Sequence, residues 1–354
     1  MTRPLRHRTA RAWAAKWVAV AVATAAFTGL AAPRTDGAPR TPNDQRRAGV
    51  LTFYSVSEWM PVHSRTELAT YLAAHKPPSA FPFFSHVAQF WQSYGELSQA
   101  SPAASTDLRY HLRANGEGIA HGFEFTLKAC YEATIGRLAE ATADAPTPED
   151  ELGARVAQDY ARFIQQHRSH DYDHLARLKE LWQATPLWDD NAVRKWERRF
   201  ALTTEYGAKA AWGWLLQRLD DPAPAAEGTT ALILNAWPAD AERWPALKRM
   251  RTLEGGVLAT VPRRTGLTTQ GPSLAQQGIQ FEEVAGNRGD IVVSLRAPRD
   301  ANAVEAGRLV FAQPLLTLAD HERRWVTVPV PQLASALRSW AARPELQVEH
   351  IYDF

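Results

Sequence analysis

The chain carries a single cysteine, Cys130, in 354 residues, so it can form neither an intramolecular disulfide nor a cysteine-based zinc cluster. It has no Gly-rich phosphate loop, no Gly-x-Ser-x-Gly elbow, no His-Glu-x-x-His zinc motif and no dinucleotide-binding glycine fingerprint. Gly255-Gly256 precedes a strand pattern and no helix, so it reads as a turn. These absences lower the expectation of the common enzyme classes. The body also lacks a positive excess. Residues 1–47 hold nine of the 40 Lys+Arg and two of the 38 Asp+Glu, which leaves 31 basic against 36 acidic residues in the remainder. That balance offers no field for nucleic acid.

Residues 17–32 (WVAVAVATAAFTGLAA) form an apolar run of sixteen residues free of charge. The flank at 1–16 carries Arg3, Arg6, Arg8, Arg11 and Lys16, and basic residues before an apolar run send the following chain across a bilayer. Residues 17–32 therefore read as a single-pass anchor in a bacterial inner membrane, with the C-terminal body in the periplasm. Cleavage after Ala31 and release is the alternative. Residues 33–47, rich in Pro, Arg and small polar residues, read as a solvated tether.

Residues 118–138 and 199–219 match without a gap at an offset of 81 residues: Glu124 with Glu205, Lys128 with Lys209, Tyr131 with Trp212, Arg137 with Arg218. Neither amphipathic helix could bury an apolar stripe alone, so the match predicts a duplicated helical hairpin within an α-helical bundle at 48–221. Ile119, Phe123, Leu127, Cys130, Thr134 and Leu138 mark the expected core face, with Cys130 an inert core thiol. Glu124/Lys128 and Glu205/Lys209, each spaced i,i+4, are expected as structural ion pairs on the flank. Within the bundle, Ser64-Arg-Thr-Glu67 reads as a capping box opening a helix over 64–75. Phe84, Val87, Phe90, Trp91, Tyr94 and Leu97 mark a second helix over 81–97. A long helix over 107–143 is expected to break near Asn115, where Gly116, Gly118 and Gly122 gather. Thr147 and Pro148 start another helix, and Asp189 or Asp190 caps the last one.

His167, His170, Asp171 and His174 are the densest set of metal-ligand types, with Asp173 beside them. His170 and His174 would share a face if helical, and an aspartate could complete a divalent-metal site. The bland reading is a polar inter-helix loop.

After the Pro/Ala-rich joint near 220–228 the period changes to β type, and 228–354 reads as an α+β domain with a helix over 239–251. At an offset of 67, Thr260-Val-Pro262 matches Thr327-Val-Pro329 and Gln280-Phe-Glu282 matches Gln347-Val-Glu349. That suggests two strand-helix-strand halves in one sheet of ferredoxin-like character. The expected function is that of a membrane-anchored envelope protein, a non-enzymatic scaffold or binding protein with an envelope protein partner and no cofactor. A peptidoglycan-binding variant belongs to the same class. The alternative is a metal-dependent hydrolase built on the cluster at 167–174.

Overall fold

A computed structural model describes residues 38–101, 106–188, 190–219, 228–302 and 304–353. The basic flank and the apolar run lie outside the described residues, as do Asp189 and the joint at 220–227. Ala38–Phe354 forms one compact unit of helices and antiparallel sheets.

The helical part is two three-helix units. The first contains α1 (Leu51–Ala73), α2 (Phe83–Ala100) and α3 (Leu108–Tyr131), the last continued by a π-helical turn at Glu132–Gly136 and by α4 (Arg137–Glu140). The second contains α5 (Pro148–Gln166), α6 (His174–Ala184) and α7 (Ala192–Leu219). α2 lies on α3 as α6 lies on α7, α1 supports α3 as α5 supports α7, and the units join through α1 against α5. α2 and α6 add a correspondence of their own: Phe90-Trp91-Gln92 on one and Leu181-Trp182-Gln183 on the other, each with the first residue buried and the tryptophan exposed.

Two features of this region differ from the sequence expectation. α1 begins thirteen residues before Ser64, which is buried inside the helix instead of capping it. The helix runs through Pro61 because Phe53, Val56, Trp59 and Met60 are all buried and outweigh the missing backbone donor. α3 does not break at Asn115. A Cβ on Gly118 would meet the Phe90 ring at 2.4 Å, so that glycine serves close packing against α2. Asp107 caps α3 by accepting from the backbone N–H of Arg109 and Tyr110. Thr147 and Asp150 form a reciprocal capping box at α5, with Pro148 in the first turn.

The C-terminal part has two four-stranded sheets. β1 (Thr229–Leu234), β2 (Lys248–Leu253), β3 (Gly256–Pro262), α8 (Gly266–Gln276) and β4 (Phe281–Val284) make one half. β5 (Asp290–Pro298), β6 (Arg308–Pro314), β7 (His321–Pro329), α9 (Leu333–Ala341) and β8 (Gln347–Tyr352) make the other. The strand orders are β2-β3-β1-β4 and β6-β7-β5-β8, the same second-third-first-fourth pattern twice. α9 starts 67 residues after α8, so the short sequence match marks two copies of one topology. The copies keep separate sheets, where the sequence suggested a single sheet of ferredoxin-like character. Residues 248–251, expected at the end of a helix, fall in β2 instead. A turn with Gly255 at φ +69° folds this exposed edge strand onto β3.

The two parts share a core. Phe53, Val56 and Met60 of α1 pack with Val292, Phe311, Trp325 and Tyr352 of the second sheet. The Thr52 hydroxyl donates to the Tyr352 carbonyl at 2.8 Å and accepts from the Val292 N–H at 2.9 Å. Ahead of α1, part of the stretch that reads as a tether is bound. Glu283, fully buried, accepts from the backbone N–H groups of Arg40 and Thr41 at 2.8 and 2.9 Å and from the Thr41 hydroxyl at 2.8 Å. No apolar period betrays this attachment, because backbone donors and one carboxylate make it.

Candidate functional site at the helical repeat interface

Glu124 and Lys128 on α3 meet Glu205 and Lys209 on α7. Lys209 Nζ lies 2.9 Å from Glu124 and 2.7 Å from Glu205, and Lys128 Nζ lies 2.8 Å from Glu205 but 3.7 Å from Glu124. The two i,i+4 pairs of the sequence therefore cross-link into one network between the repeats. Each of the four side chains is only 20–25 % exposed. Arg65 of α1 adds a fifth charge by donating to Glu124. Tyr160 of α5 lies under two cations, with Lys209 Nζ 5.1 Å and the Arg65 guanidinium 5.9 Å from its ring centre.

Electrostatics fix the protonation states. Burial alone would raise the Glu124 carboxyl, but Arg65, Lys209 and Lys128 outweigh it and hold it well below the usual range. Glu205 is likewise drawn down to about 2 against the burial effect by Lys128 and Lys209. Lys209 is pushed up, burial notwithstanding, by Glu124 and Glu205. A carboxylate held ionised and an ammonium held charged have no proton to exchange near neutrality, so the cluster is a clamp and not an acid–base pair. The histidines that neighbour it are also out of range: burial holds His121 down to about 3 and His174 to about 4, helped by Arg65 and Lys209 respectively.

A second network lies deeper on α7. Glu149 and Lys195 are fully buried and 2.8 Å apart, and Arg199 donates to the same carboxylate at 2.7 Å. Beside it, Arg198 pairs with Glu132 and Glu197, and Arg194 with Asp150 and Glu197. Arg194, Lys195, Glu197, Arg198 and Arg199 look like a solvated charge run in sequence; the signal that they face inward is the stripe Val193, Trp196 and Phe200 on the opposite side of the helix.

That stripe has a counterpart on α3, and both correct the expected core face. Ile119, Phe123, Leu127 and Leu138 are 61 to 73 % exposed, and Cys130 and Thr134 are exposed with them. The buried stripe of α3 is Gly118, His121, Phe125 and Ala129. On α7, Phe200 and Trp212 are 63 and 60 % exposed. Cys130 is thus a surface thiol and not a core one.

His167, His170, Asp171 and His174 do not converge. His170 and Asp171 sit in a 3-10 turn at Ser169–Asp171, with His170 Nε2 3.9 Å from its neighbour's carboxylate. His174 is buried at the start of α6 among Tyr160, Tyr172 and Tyr206, and His167 lies against Phe163. Among the described residues no three His, Cys, Asp or Glu side chains form a group that could hold a metal ion. One cavity, about 220 Å³, lies between the start of α2 and the π-helical turn and is lined by Phe81, Phe83, Ala129 and Glu132. No family model, curated protein or solved structure matches the chain.

Proposed function

We propose that the protein is a membrane-anchored scaffold or binding protein of the cell envelope, tethered by residues 17–32 with its body in the periplasm and working through contact surfaces. The observation that carries this reading is the distribution of charge and apolar surface in the helical part. Most charges of α3 and α7 are consumed in paired internal networks, while bulky apolar side chains stand outside. A surface of that kind favours association, and paired, pKa-locked charges disfavour chemistry. No helix among the described residues is long and apolar enough to cross a membrane, so anchoring in this reading rests on the N-terminal run.

The metal-dependent hydrolase reading gains no support, since its ligand candidates stay apart. An envelope protein partner and, as a variant, peptidoglycan are the binding candidates of the leading reading. Cross-linking and pull-down of the full chain from detergent-solubilised envelopes is expected to return one reproducible envelope partner, and pelleting with purified sacculi tests the variant. Loss of the chain from membranes on alkaline carbonate extraction, with residues 17–32 intact, would overturn the anchored reading.

A further inference from the structure

We propose that the outward faces of α3 and α7 together form a second membrane contact, which lays the helical part on an anionic lipid bilayer. Between Gly116 and Ile135 every exposed residue of α3 and its π-helical turn is uncharged, a stretch of about 30 Å at 1.5 Å per residue. On α7 the same holds from Ala192 to Leu215, where all seven charged residues turn inward or to the flank. The packing implies that the stripes point the same way. α3 puts its buried stripe on Leu68, Phe81 and Phe83, α7 puts Leu202 and Tyr206 on Leu152, Val156 and Leu181, and the supporting helices α1 and α5 are packed together. With the charged flanks of α3 and α7 meeting in the Glu124–Lys209 network, their outer faces are left side by side. The combined face exposes on the order of 1,000 Å² or more of apolar area, above the few hundred usual for a soluble monomer.

Three observations favour lipid as the occupant. The exposed charges of α3, α4 and α7 are Arg109, Arg113, Arg137 and Arg218, at the ends of the helices, and no exposed acid accompanies them. A basic rim around an apolar face suits anionic headgroups, whereas an isologous second copy would bring like charges together. Arg218 stacks on exposed Trp214 at 3.9 Å, with Trp212 and Trp196 also exposed, and tryptophan with a basic neighbour is the pairing of a headgroup boundary. Finally, with the chain anchored as proposed above, only residues 33–37 separate the apolar run from Ala38, where the compact unit begins. Each helix keeps one charged half, which fits a helix lying in the interface and not one spanning it.

Cys130 lies on this face and is the chain's one thiol, so it reports on the occupant. A nitroxide attached there, in the full chain reconstituted into vesicles containing phosphatidylglycerol, is expected to collide with oxygen and to be shielded from a water-soluble nickel chelate. Phe123→Glu with Phe200→Glu is expected to return the label to water while the circular dichroism spectrum stays unchanged, because both side chains already face outward. A label open to the nickel chelate in the unsubstituted chain would overturn the proposal, as would spin–spin broadening that disappears on dilution with unlabelled chain, the sign of a second copy. The anchor is scored separately by carbonate extraction. A shielded label on an extractable chain sinks the anchor alone, and a water-exposed label on a retained chain sinks the docking face alone.

Discussion

In the sheet part α8 lies on α9, and the copies close over a dry core in which Leu274, Phe281, Val293, Leu337 and Trp340 are at most 1 % exposed. In the helical part, α1 and α5 pack together, but α3 and α7 face each other through carboxylates, ammonium groups and a guanidinium. Both parts arise from a repeated unit, yet one spends its apolar residues internally and the other exports many of them to the outside of α3 and α7. Buried ion pairs contribute little net stability, because desolvation cancels most of the Coulomb gain. The helical part is therefore expected to owe less of its stability to its own interior than the sheet part does, and to draw more from whatever covers the outer faces.

Acid separates the two parts most strongly. His86 and His121 are held down to about 3 and His174 to about 4, by burial first and then by Arg323, Arg65 and Lys209 in that order, and all three belong to helices. Between pH 6.5 and those values the unfolded chain takes up protons that the folded chain refuses. Their contribution is complete above pH 6.5 and is lost as pH falls. Asp353 works the other way, since burial raises it to about 6 and it gains a proton on the folded side below that pH. Burial also holds His63 of α1 and His350 of β8 well below the usual range, and it raises Glu67, Glu117 and Glu132 in the opposite sense. Four of the five depressed histidines thus lie in the helical part and Asp353 offsets the fifth; at about 1.4 kcal/mol per net proton and pH unit, a fall of roughly 3–5 kcal/mol per unit is expected near pH 5. Urea unfolding at pH 7.5, 6 and 5 in one detergent measures it; a flat profile would mean that the helical interior is wet.

Core truncation in the sheet part comes next. Trp340→Ala removes a side chain that is 1 % exposed within the apolar cluster, and about 3–5 kcal/mol of unfolding free energy is expected to go with it. The matching change in the helical part is Glu149→Gln, which leaves Lys195 and Arg199 buried against a neutral amide. A loss of about 3 kcal/mol is expected, and Glu149→Gln with Lys195→Met should recover part of it, because the penalty belongs to an unpaired charge. If the double variant is no better than the single one, the carboxylate acts through packing.

The sheet part was legible because its strands carry their own pattern. Seven of the eight strands follow from apolar runs between turn residues, and even a weak match at an offset of 67 marked a true repeat of topology. β2 escaped because Lys248, Arg249 and Arg251 give an edge strand that is polar on both faces. In the helical part the elements were legible but not their orientation. A hydrophobic stripe normally reveals the inner face, and on α3 and α7 that inference inverts. Gly118 was the better guide: a small residue about three turns from either helix end marks where another helix comes close. The Glu/Lys spacing singled out four residues that meet at the repeat interface, while their pairing across helices and the addition of Arg65 depended on a tertiary arrangement no local pattern encodes.

The smallest effect tests whether the clamp between the repeats is an interior feature or a surface one. Glu124→Gln and Lys209→Met remove partners 2.9 Å apart, and a double-mutant cycle is expected to return a coupling of about 1 kcal/mol. The figure is modest because Lys209 retains Glu205 at 2.7 Å and Glu124 retains Arg65, so neither single variant strands its partner. Salt decides the location. Exposed pairs are screened within about 10 Å at 0.1 M salt, whereas partly buried ones are screened much less. Equal coupling at 0.1 and 1 M salt would place the network inside the protein, held together under an apolar roof; a coupling that vanishes at high salt would mean that water reaches it between α3 and α7, and the contrast with the dry sheet core would then be one of degree.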